Sequence, residues 1–204
     1  MSEKQDKGAA LIAIDVQRDF CPGGALAVAD GDAVVPVINR LMAGHAACVL
    51  TQDWHPPEHA SFADNHKGGA PFSTVRMPYG EQVLWPRHCV QGSEGAAFHP
   101  ALDTARADAV IRKGFRADID SYSAFFENDR KTPTGLEGYL RNRGIEAVVL
   151  AGLATDFCVA WSAIDAARLG FRTEVRLEGC RAIDLDGSLA RAMTAMREAG
   201  VTLA

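Results

Sequence analysis

The sequence lacks the features that mark membrane, secreted and nucleic-acid-binding proteins. No apolar run in the chain reaches the roughly 20 residues that a membrane-spanning helix needs. Residues 1–7 are polar, and no secretory signal follows them. Basic residues never form a long run and the formal charge is −5, which gives nucleic acid or an anionic membrane no surface to bind. We therefore expect a cytoplasmic protein with neither kind of partner.

Cysteine is scarce and is not arranged as a disulfide or metal framework. The 204 residues include five cysteines, an odd number at irregular spacing, and no CxxC pair occurs. This usage is typical of reduced thiols, and at least one cysteine must lie outside any internal disulfide. Internal repeats and low-complexity segments are also absent. A chain of this length that is 48% hydrophobic predicts one globular domain over residues 1–204.

Short apolar runs alternate with helix-like stretches along the chain. The runs predict strands at 9–14, 46–51, 108–112, 145–151, 171–176 and 201–203. They are continuous rather than alternating, as expected of strands that are covered on both faces. The helix-like stretches lie at 33–43, 134–143, 156–169 and 187–199. This order predicts a three-layer α/β/α fold with a mostly parallel sheet of five or six strands.

The region from about residue 52 to 107 interrupts that alternation. It shows no strong strand or helix period, yet it is rich in histidine and tryptophan. A long irregular stretch inside a compact domain is usually functional or disordered, and this composition argues against disorder. We therefore expect a long functional loop region inside the single domain.

Side chains that could act in catalysis or bind a ligand lie at the ends of the predicted strands. Asp15 ends the first strand, Asp53 lies near the end of the second, and Lys113 follows the third. The fourth strand leads into AGLATDFC, which delivers Cys158. Because ligands of an open parallel sheet bind beyond the carboxyl ends of its strands, these residues are expected to converge on one edge.

Cys158 is the best placed of the five thiols. It falls where a helix begins, and a helix N-terminus favours a thiolate and can hold an oxyanion. The alternative is an inert buried cysteine that packs a helix against the sheet. We assign that structural role to the other four cysteines, which lack this placement: Cys21, Cys48, Cys89 and Cys180.

The two charged residues also have structural alternatives. Asp15 follows an apolar strand, where a carboxylate is costly unless it is partnered, and it could act as the base for the thiol. It could equally form an ion pair with Lys113 or cap the next segment. Lys113 could stabilise negative charge in the site, or it could be an exposed lysine whose stem lies along the surface. Three such residues at three strand ends favour a catalytic site.

A possible metal site lies in DWH and in LWPRHCVQG. Asp53 and His55 are two residues apart, so in an extended segment both side chains point the same way. His88 is the best candidate for a third ligand, and an Asp/His/His set leaves positions open for water or substrate. His59 is either a further ligand or a residue behind the ligands. We expect three histidines to lie on the surface or in loops: His45, His66 and His99.

Five segments together resemble one family. They are IAIDVQRDFCPGGAL, TQDWHPPEHASF, LWPRHCVQGSEGAAFHP, IRKGF followed by DSYSAFFEN, and AGLATDFCVAWSAIDA. In this order, from about residue 9 to 190, they resemble the bacterial and yeast nicotinamidases, which are isochorismatase-like cysteine hydrolases. The DVQxDF and GxxTDxCV patterns are general to that superfamily, whereas DWHPxxHxSF and WPxHCVQ are more specific to the nicotinamidase branch.

The resemblance implies a role for each matched position. It implies a catalytic triad of Asp15, Lys113 and Cys158, and an oxyanion hole formed by the N–H groups of Ala154 and Cys158. It also implies a cis peptide between Leu153 and Ala154, which places Leu153 at the substrate site. The implied metal ligands are Asp53, His55 and His88. Zinc is the first choice of metal, and iron and manganese are the other two. The aromatic residues implied to enclose a pyridine ring are Phe20, Trp85 and Tyr122.

The implied reaction is hydrolysis of nicotinamide to nicotinate and ammonia through a thioester, a step of pyridine nucleotide salvage. Pyrazinamide is a further candidate substrate. Two alternatives stay open at this point: a related amidase or hydrolase for another small substrate, and a non-catalytic binding protein of the same fold. The sequence does not determine the identity of the metal or the oligomeric state, and a homo-oligomer is one of the options.

Overall fold

The computed structural model describes residues 8–204; residues 1–7, where the sequence predicts no secretory signal, lie outside that range. Eight strands form in the described part of the chain, and six of them build the central sheet. The strands are β1 (Ala9–Ile14), β2 (Ala47–Asp53), β3 (Thr74–Met77), β4 (Gly80–Val83), β5 (Ala109–Lys113), β6 (Ala147–Leu153), β7 (Arg172–Arg181) and β8 (Thr202–Leu203).

The central sheet is parallel throughout and has the order β5-β2-β1-β6-β7-β8. The chain therefore builds outward from β1 through β2 to β5, and then returns to the other side of β1 to add β6, β7 and β8. Strand order thus reverses around β1. In parallel sheets such a reversal opens a crevice at the carboxyl ends of the strands, which is where ligands bind.

In residues 8–204, four α-helices cover the sheet, as predicted. They are α1 (Val34–Gly44), α2 (Leu136–Asn142), α3 (Ala160–Arg168) and α4 (Ser188–Glu198). The chain adds strands on one side of β1 up to β5 and on the other side from β6 onward. Right-handed connections in these two directions place helices on opposite faces of the sheet, which gives the three-layer arrangement. Among the described residues, no helix combines the length and the apolar character needed to cross a bilayer.

The centre of the sheet is buried on both faces, which explains its continuous apolar sequence. Every residue of β1 and of β6 is buried. Leu11, Ile12 and Ile14 of β1 are fully inaccessible to solvent, as is Leu150 of β6. Burial of such side chains stabilises the fold by about 1.5–3 kcal/mol each, so these two strands anchor the residues that follow them.

Two strand predictions needed correction. The last long strand was predicted to end at residue 176, but β7 continues to Arg181 after a register shift against β6 between Leu150 and Gly152. The region from about 52 to 107 also contains an antiparallel hairpin of β3 and β4, which the sequence did not predict. Each strand of that hairpin has only four residues and lies largely at the surface, so it carries little hydrophobic period.

Gly152 sits at the closest approach of β6 to β1. Its φ is +140°, and a Cβ placed there would lie 2.1 Å from the carbonyl oxygen of Ile14. A side chain at this position would therefore push the two central strands apart, six residues before Cys158. By contrast, Gly138 lies in α2 with open space around it.

Alanine substitutions at these two glycines should have effects of opposite sign. Gly152→Ala should lower the free energy of unfolding by on the order of 3 kcal/mol, because it adds a backbone clash to an unfavourable φ. Gly138→Ala should raise it by about 0.5–1 kcal/mol, because alanine loses less entropy in a helix. Denaturant unfolding of both variants checks this. Equal destabilisation by the two substitutions would contradict the assigned strand contact.

Candidate active site

Asp15 is held rigidly just beyond the end of β1. Its φ is +47°, in the left-handed region, and its side chain is fully buried. Thr51 of the neighbouring β2 fixes it from both sides: the Thr51 hydroxyl donates to Asp15 Oδ1 at 2.6 Å and accepts from the Asp15 N–H at 3.1 Å. The sheet therefore fixes the orientation of the Asp15 carboxylate at the carboxyl end of β1.

Lys113 lies at the centre of the site. Its side chain is fully buried, so the alternative of an exposed lysine is wrong. Its Nζ is 2.9 Å from Asp15 Oδ2 and 2.5 Å from Asp53 Oδ1. The same nitrogen donates to the Ser121 carbonyl oxygen at 2.8 Å and lies 3.4 Å from Cys158 Sγ. One ammonium group therefore contacts both carboxylates and the thiol.

Cys158 follows β6 in the first turn of a helical segment. A π-helical turn over Thr155–Val159 leads directly into α3, so the expected placement of Cys158 at a helix start holds. Its Sγ, one oxygen of Asp15 and one oxygen of Asp53 lie within 4.8 Å of one another. The structure thus brings the predicted thiol, carboxylate and lysine together at one sheet edge.

Burial affects the protonation of Cys158. It raises the pKa of the thiol well above its usual value, and the nearby Lys113 opposes this only in part because Asp15 and Asp53 raise it again. The sequence predicted that the helix N-terminus would favour a thiolate. Burial and the two carboxylates act in the opposite direction, because they raise the pKa of the thiol.

Asp15 is suited to receive the Cys158 proton. Burial raises the pKa of this carboxyl group, although Lys113 acts in the opposite direction. A raised pKa makes the carboxylate a stronger base toward a thiol. Within residues 8–204, Asp15 Oδ2 receives no aligned hydrogen bond despite its short distance to Lys113. One carboxylate oxygen of Asp15 lies within 4.8 Å of Cys158 Sγ, so the two groups are neighbours.

Asp53, His55 and His88 converge beside this cluster. Asp53 Oδ2 lies 3.3 Å from His55 Nε2 and 3.7 Å from His88 Nε2. The other ring nitrogen of each histidine faces a backbone carbonyl: His55 Nδ1 is 2.8 Å from the Gly114 oxygen and His88 Nδ1 is 2.7 Å from the Pro86 oxygen. Each Nε2 is thereby directed toward Asp53 Oδ2, which is how metal-binding histidines are usually oriented, with the other ring nitrogen on a backbone carbonyl.

The charge state of Asp53 also suits a cation. Burial alone would raise the pKa of this carboxyl group, but Lys113 and His55 hold it well below its usual range. Asp53 therefore stays ionised while it contacts Lys113 through one oxygen and the two imidazoles through the other. The three residues form a buried group that could hold a metal ion.

His59 lies behind His55 and has partners of its own. Its ring centroid is 4.1 Å from that of His55, its Nδ1 is 2.7 Å from the Ser61 hydroxyl and its Nε2 is 3.2 Å from the Ile119 carbonyl oxygen. Burial lowers the pKa of His59 to about 4, so the ring is neutral at physiological pH. His59 also forms a second compact group with His55 and Asp120.

A small cavity opens between the thiol and the Asp53, His55 and His88 group. Of the residues predicted to contact substrate, Phe20, Trp85, Tyr122 and Ala154 line it, together with Cys158. The peptide between Leu153 and Ala154 is cis. Leu153 itself is fully buried in β6 and is not among the lining residues, so its side chain does not face the cavity.

The sequence did not single out four further residues that line the cavity: Leu26, Asp120, Phe157 and Ile183. Phe157 extends the aromatic wall, with its ring centroid 4.9 Å from that of Trp85 and 5.6 Å from that of Tyr122. Its position next to Cys158 was a usable signal. Asp120 lies two residues before Tyr122 in DSYSAFFEN, but nothing in a single sequence separates it from an ordinary loop aspartate.

Comparison with known proteins finds close relatives of the whole chain. It is 56% identical over 198 residues to the nicotinamidase of Acinetobacter baylyi, and this match covers 97% of the chain and 92% of the relative. A solved structure of a nicotinamidase/pyrazinamidase from Acinetobacter baumanii superposes with a TM-score of 0.96 at 55% identity, over 98% of this chain and 97% of that one.

A more distant structure bears on the metal group. The pyrazinamidase of Pyrococcus horikoshii, solved in complex with zinc, matches with a TM-score of 0.78 at 34% identity, over 97% of this chain and 98% of that one. The family model described as the isochorismatase domain matches residues 9–204. With the six-stranded parallel sheet and the buried site at its carboxyl edge, this match shows that the chain belongs to the isochorismatase family.

Proposed function

We propose that this protein is a nicotinamidase, a cysteine amidohydrolase that converts nicotinamide to nicotinate and ammonia. The single observation that carries the proposal is Lys113, which joins the Cys158 and Asp15 pair to the Asp53, His55 and His88 group. Cys158, Asp53 and His88 of this cluster line one aromatic cavity. A thiol at one end and imidazole nitrogens at the other suit a small aromatic amide that has a second polar atom. The similarity to nicotinamidases over nearly the whole chain supports the same substrate.

In the proposed reaction, Asp15 removes the proton from Cys158. The thiolate then attacks the carboxamide carbon, and the N–H groups of Ala154 and Cys158 stabilise the oxyanion. Lys113 stabilises the negative charge that moves between Asp15 and the sulfur. Asp15 returns the proton to the leaving nitrogen, ammonia departs and a thioester forms. Water then attacks that carbon with Asp15 as base, the C–S bond breaks, and nicotinate and the thiol are released.

The Asp53, His55 and His88 group fits a divalent ion, because one ionised carboxylate oxygen and two oriented Nε2 atoms face one another. When bound, such an ion would take the ring nitrogen as a ligand and so orient the ring. Zinc is the first choice because two imidazoles and a carboxylate suit it and because the Pyrococcus horikoshii relative was solved with zinc. Iron and manganese are the alternatives.

Aromatic side chains would enclose the ring of the substrate. Phe20, Trp85, Tyr122 and Phe157 all line the cavity, and offset or edge contacts with a pyridine ring are favourable. The proposal extends to pyrazinamide, which differs by one ring nitrogen. It also treats the chain as one domain in the cytoplasm, which the five free cysteines support.

The thiol assignment predicts a specific pattern of activity loss. Cys158→Ala should lower kcat for ammonia release from nicotinamide by at least roughly 10³-fold, because no other group can form the thioester. Asp15→Asn keeps the shape of the side chain and removes the base, so kcat should fall by roughly 10²–10⁴-fold. The matched control is Cys48→Ala, since the Cys48 thiol contacts the Met42 carbonyl oxygen outside the site. An active Cys158→Ala enzyme would rule out the assignment.

The metal assignment predicts that substrate choice depends on a ring nitrogen. Benzamide has the size, the amide and the stacking face of nicotinamide but offers no lone pair. Metal-loaded enzyme should therefore favour nicotinamide over benzamide by at least about 100-fold in kcat/KM, because benzamide leaves a buried ligand position unfilled. Chelation, or His88→Ala, should reduce activity on nicotinamide and narrow that ratio.

Two measurements decide this test: the metal content of each variant and the kcat/KM for each amide. Metal content, measured on the same samples, should fall in His88→Ala. It should stay unchanged in His99→Ala, because His99 belongs to none of the residue groups that could hold a metal ion in residues 8–204. Equal kcat/KM for the two amides in metal-loaded enzyme would exclude an orienting role for the ion and would favour a general amidase.

A further inference from the structure

Asp120 is a carboxylate in the cavity that the proposed reaction does not use. It is only 2% exposed, yet it lines the same cavity as Cys158 and His88. One of its oxygens lies within 4.8 Å of ligand atoms of His55 and His59. A buried carboxylate is costly unless it is stabilised, so its presence in a substrate cavity calls for a role.

The contacts of Asp120 hold it in place without neutralising it. Gln82 Nε2 donates to Asp120 Oδ2 at 2.7 Å, and the Ser121 N–H donates to Asp120 Oδ1 at 2.8 Å. Gln82 is itself only 1% exposed, and its Nε2 also lies 3.0 Å from the Tyr122 hydroxyl. Over residues 8–204, no lysine, arginine or histidine forms an ion pair with Asp120.

Asp120 adds a negative charge beyond the two carboxylates that Lys113 contacts. The single ammonium group of Lys113 is already shared between Asp15 and Asp53. A divalent ion on the Asp53, His55 and His88 group would add positive charge that attracts any anion in the cavity. Asp120 then supplies an opposing negative charge at the place where substrate and product bind, and repulsion between like charges is strong where water is excluded.

Substrate and product differ in charge. Nicotinamide is neutral, whereas nicotinate carries a carboxylate at neutral pH. We propose that Asp120 is a specificity-determining residue that makes the cavity prefer the uncharged amide over the anionic acid, so that the product leaves. This inference rests on the proposed function, because it needs an amide substrate and an acid product.

The test measures binding without turnover. In metal-loaded Cys158→Ala protein, calorimetry at neutral pH gives the Kd of nicotinamide and of nicotinate. The same two values are measured after Asp120→Asn is added, which keeps the size and a hydrogen-bond acceptor and removes the charge. We expect the ratio of Kd for nicotinate to Kd for nicotinamide to fall by roughly tenfold, mainly through tighter binding of nicotinate.

The matched control is Glu127→Gln in the same background. Glu127 is a fully buried carboxylate seven residues along the chain, but it pairs with Arg116 and does not line the cavity. It should leave the ratio unchanged. If Asp120→Asn fails to fold, Asp120→Ser makes the same measurement.

An unchanged ratio in the Asp120 variant, or an equal change in Glu127→Gln, would overturn the inference. Binding of neither ligand to the Cys158→Ala protein would overturn it as well. The proposed function is judged separately, by ammonia release from nicotinamide in the wild type. Active wild-type enzyme with an unchanged ratio would therefore leave the nicotinamidase assignment intact and remove only the role of Asp120.

Discussion

The site depends on one buried ammonium group. The Lys113 Nζ has three hydrogens and contacts two carboxylates, a carbonyl oxygen and a thiol, with no access to water. Removing a charge from water costs several kcal/mol, and Lys113 recovers this only because Asp15 and Asp53 both face it. The same requirement works in reverse, since neither carboxylate could stay buried at these positions without the lysine. The ends of β1, β2 and β5 are therefore fixed relative to one another by one charged group, the Lys113 ammonium.

The shared lysine does not make the two carboxylates alike. Burial raises the pKa of Asp15, whereas Lys113 and His55 together hold that of Asp53 well below its usual range. Two carboxylates whose environments push their pKa values apart can take different roles in one site. Asp15 is suited to exchange a proton with Cys158, and Asp53 is suited to stay ionised and hold a cation. The family comparison is consistent with this division, because relatives that match nearly the whole chain include enzymes named for amide hydrolysis and one solved with zinc.

The sequence predicted the sheet and the clustering of Asp15, Asp53, Lys113 and Cys158 because buried parallel strands are continuously apolar and a polar residue that ends one stands out. It did not predict the features that arise from packing between distant segments. The hairpin of β3 and β4 has little hydrophobic period, and the extension of β7 depends on a register shift against β6. Asp120 enters the cavity because Gln82, 38 residues earlier, holds it there. Burial raises the pKa of the Cys158 thiol, an effect opposite to that of the helix N-terminus, and local sequence does not reveal this burial.

A double-mutant cycle on stability tests whether Lys113 stabilises the site by holding Asp15 and Asp53 together. The free energy of unfolding in denaturant, with chelator present, is measured for wild type, Lys113→Met, Asp15→Asn and the double variant. Lys113→Met alone should cost about 3–5 kcal/mol, because it leaves two buried carboxylates unpaired. Adding Asp15→Asn to it should recover part of that loss, with a coupling energy of at least about 1 kcal/mol. Losses that add to within about 0.5 kcal/mol would show that Lys113 and Asp15 act independently, and Lys113 would then not hold the site together.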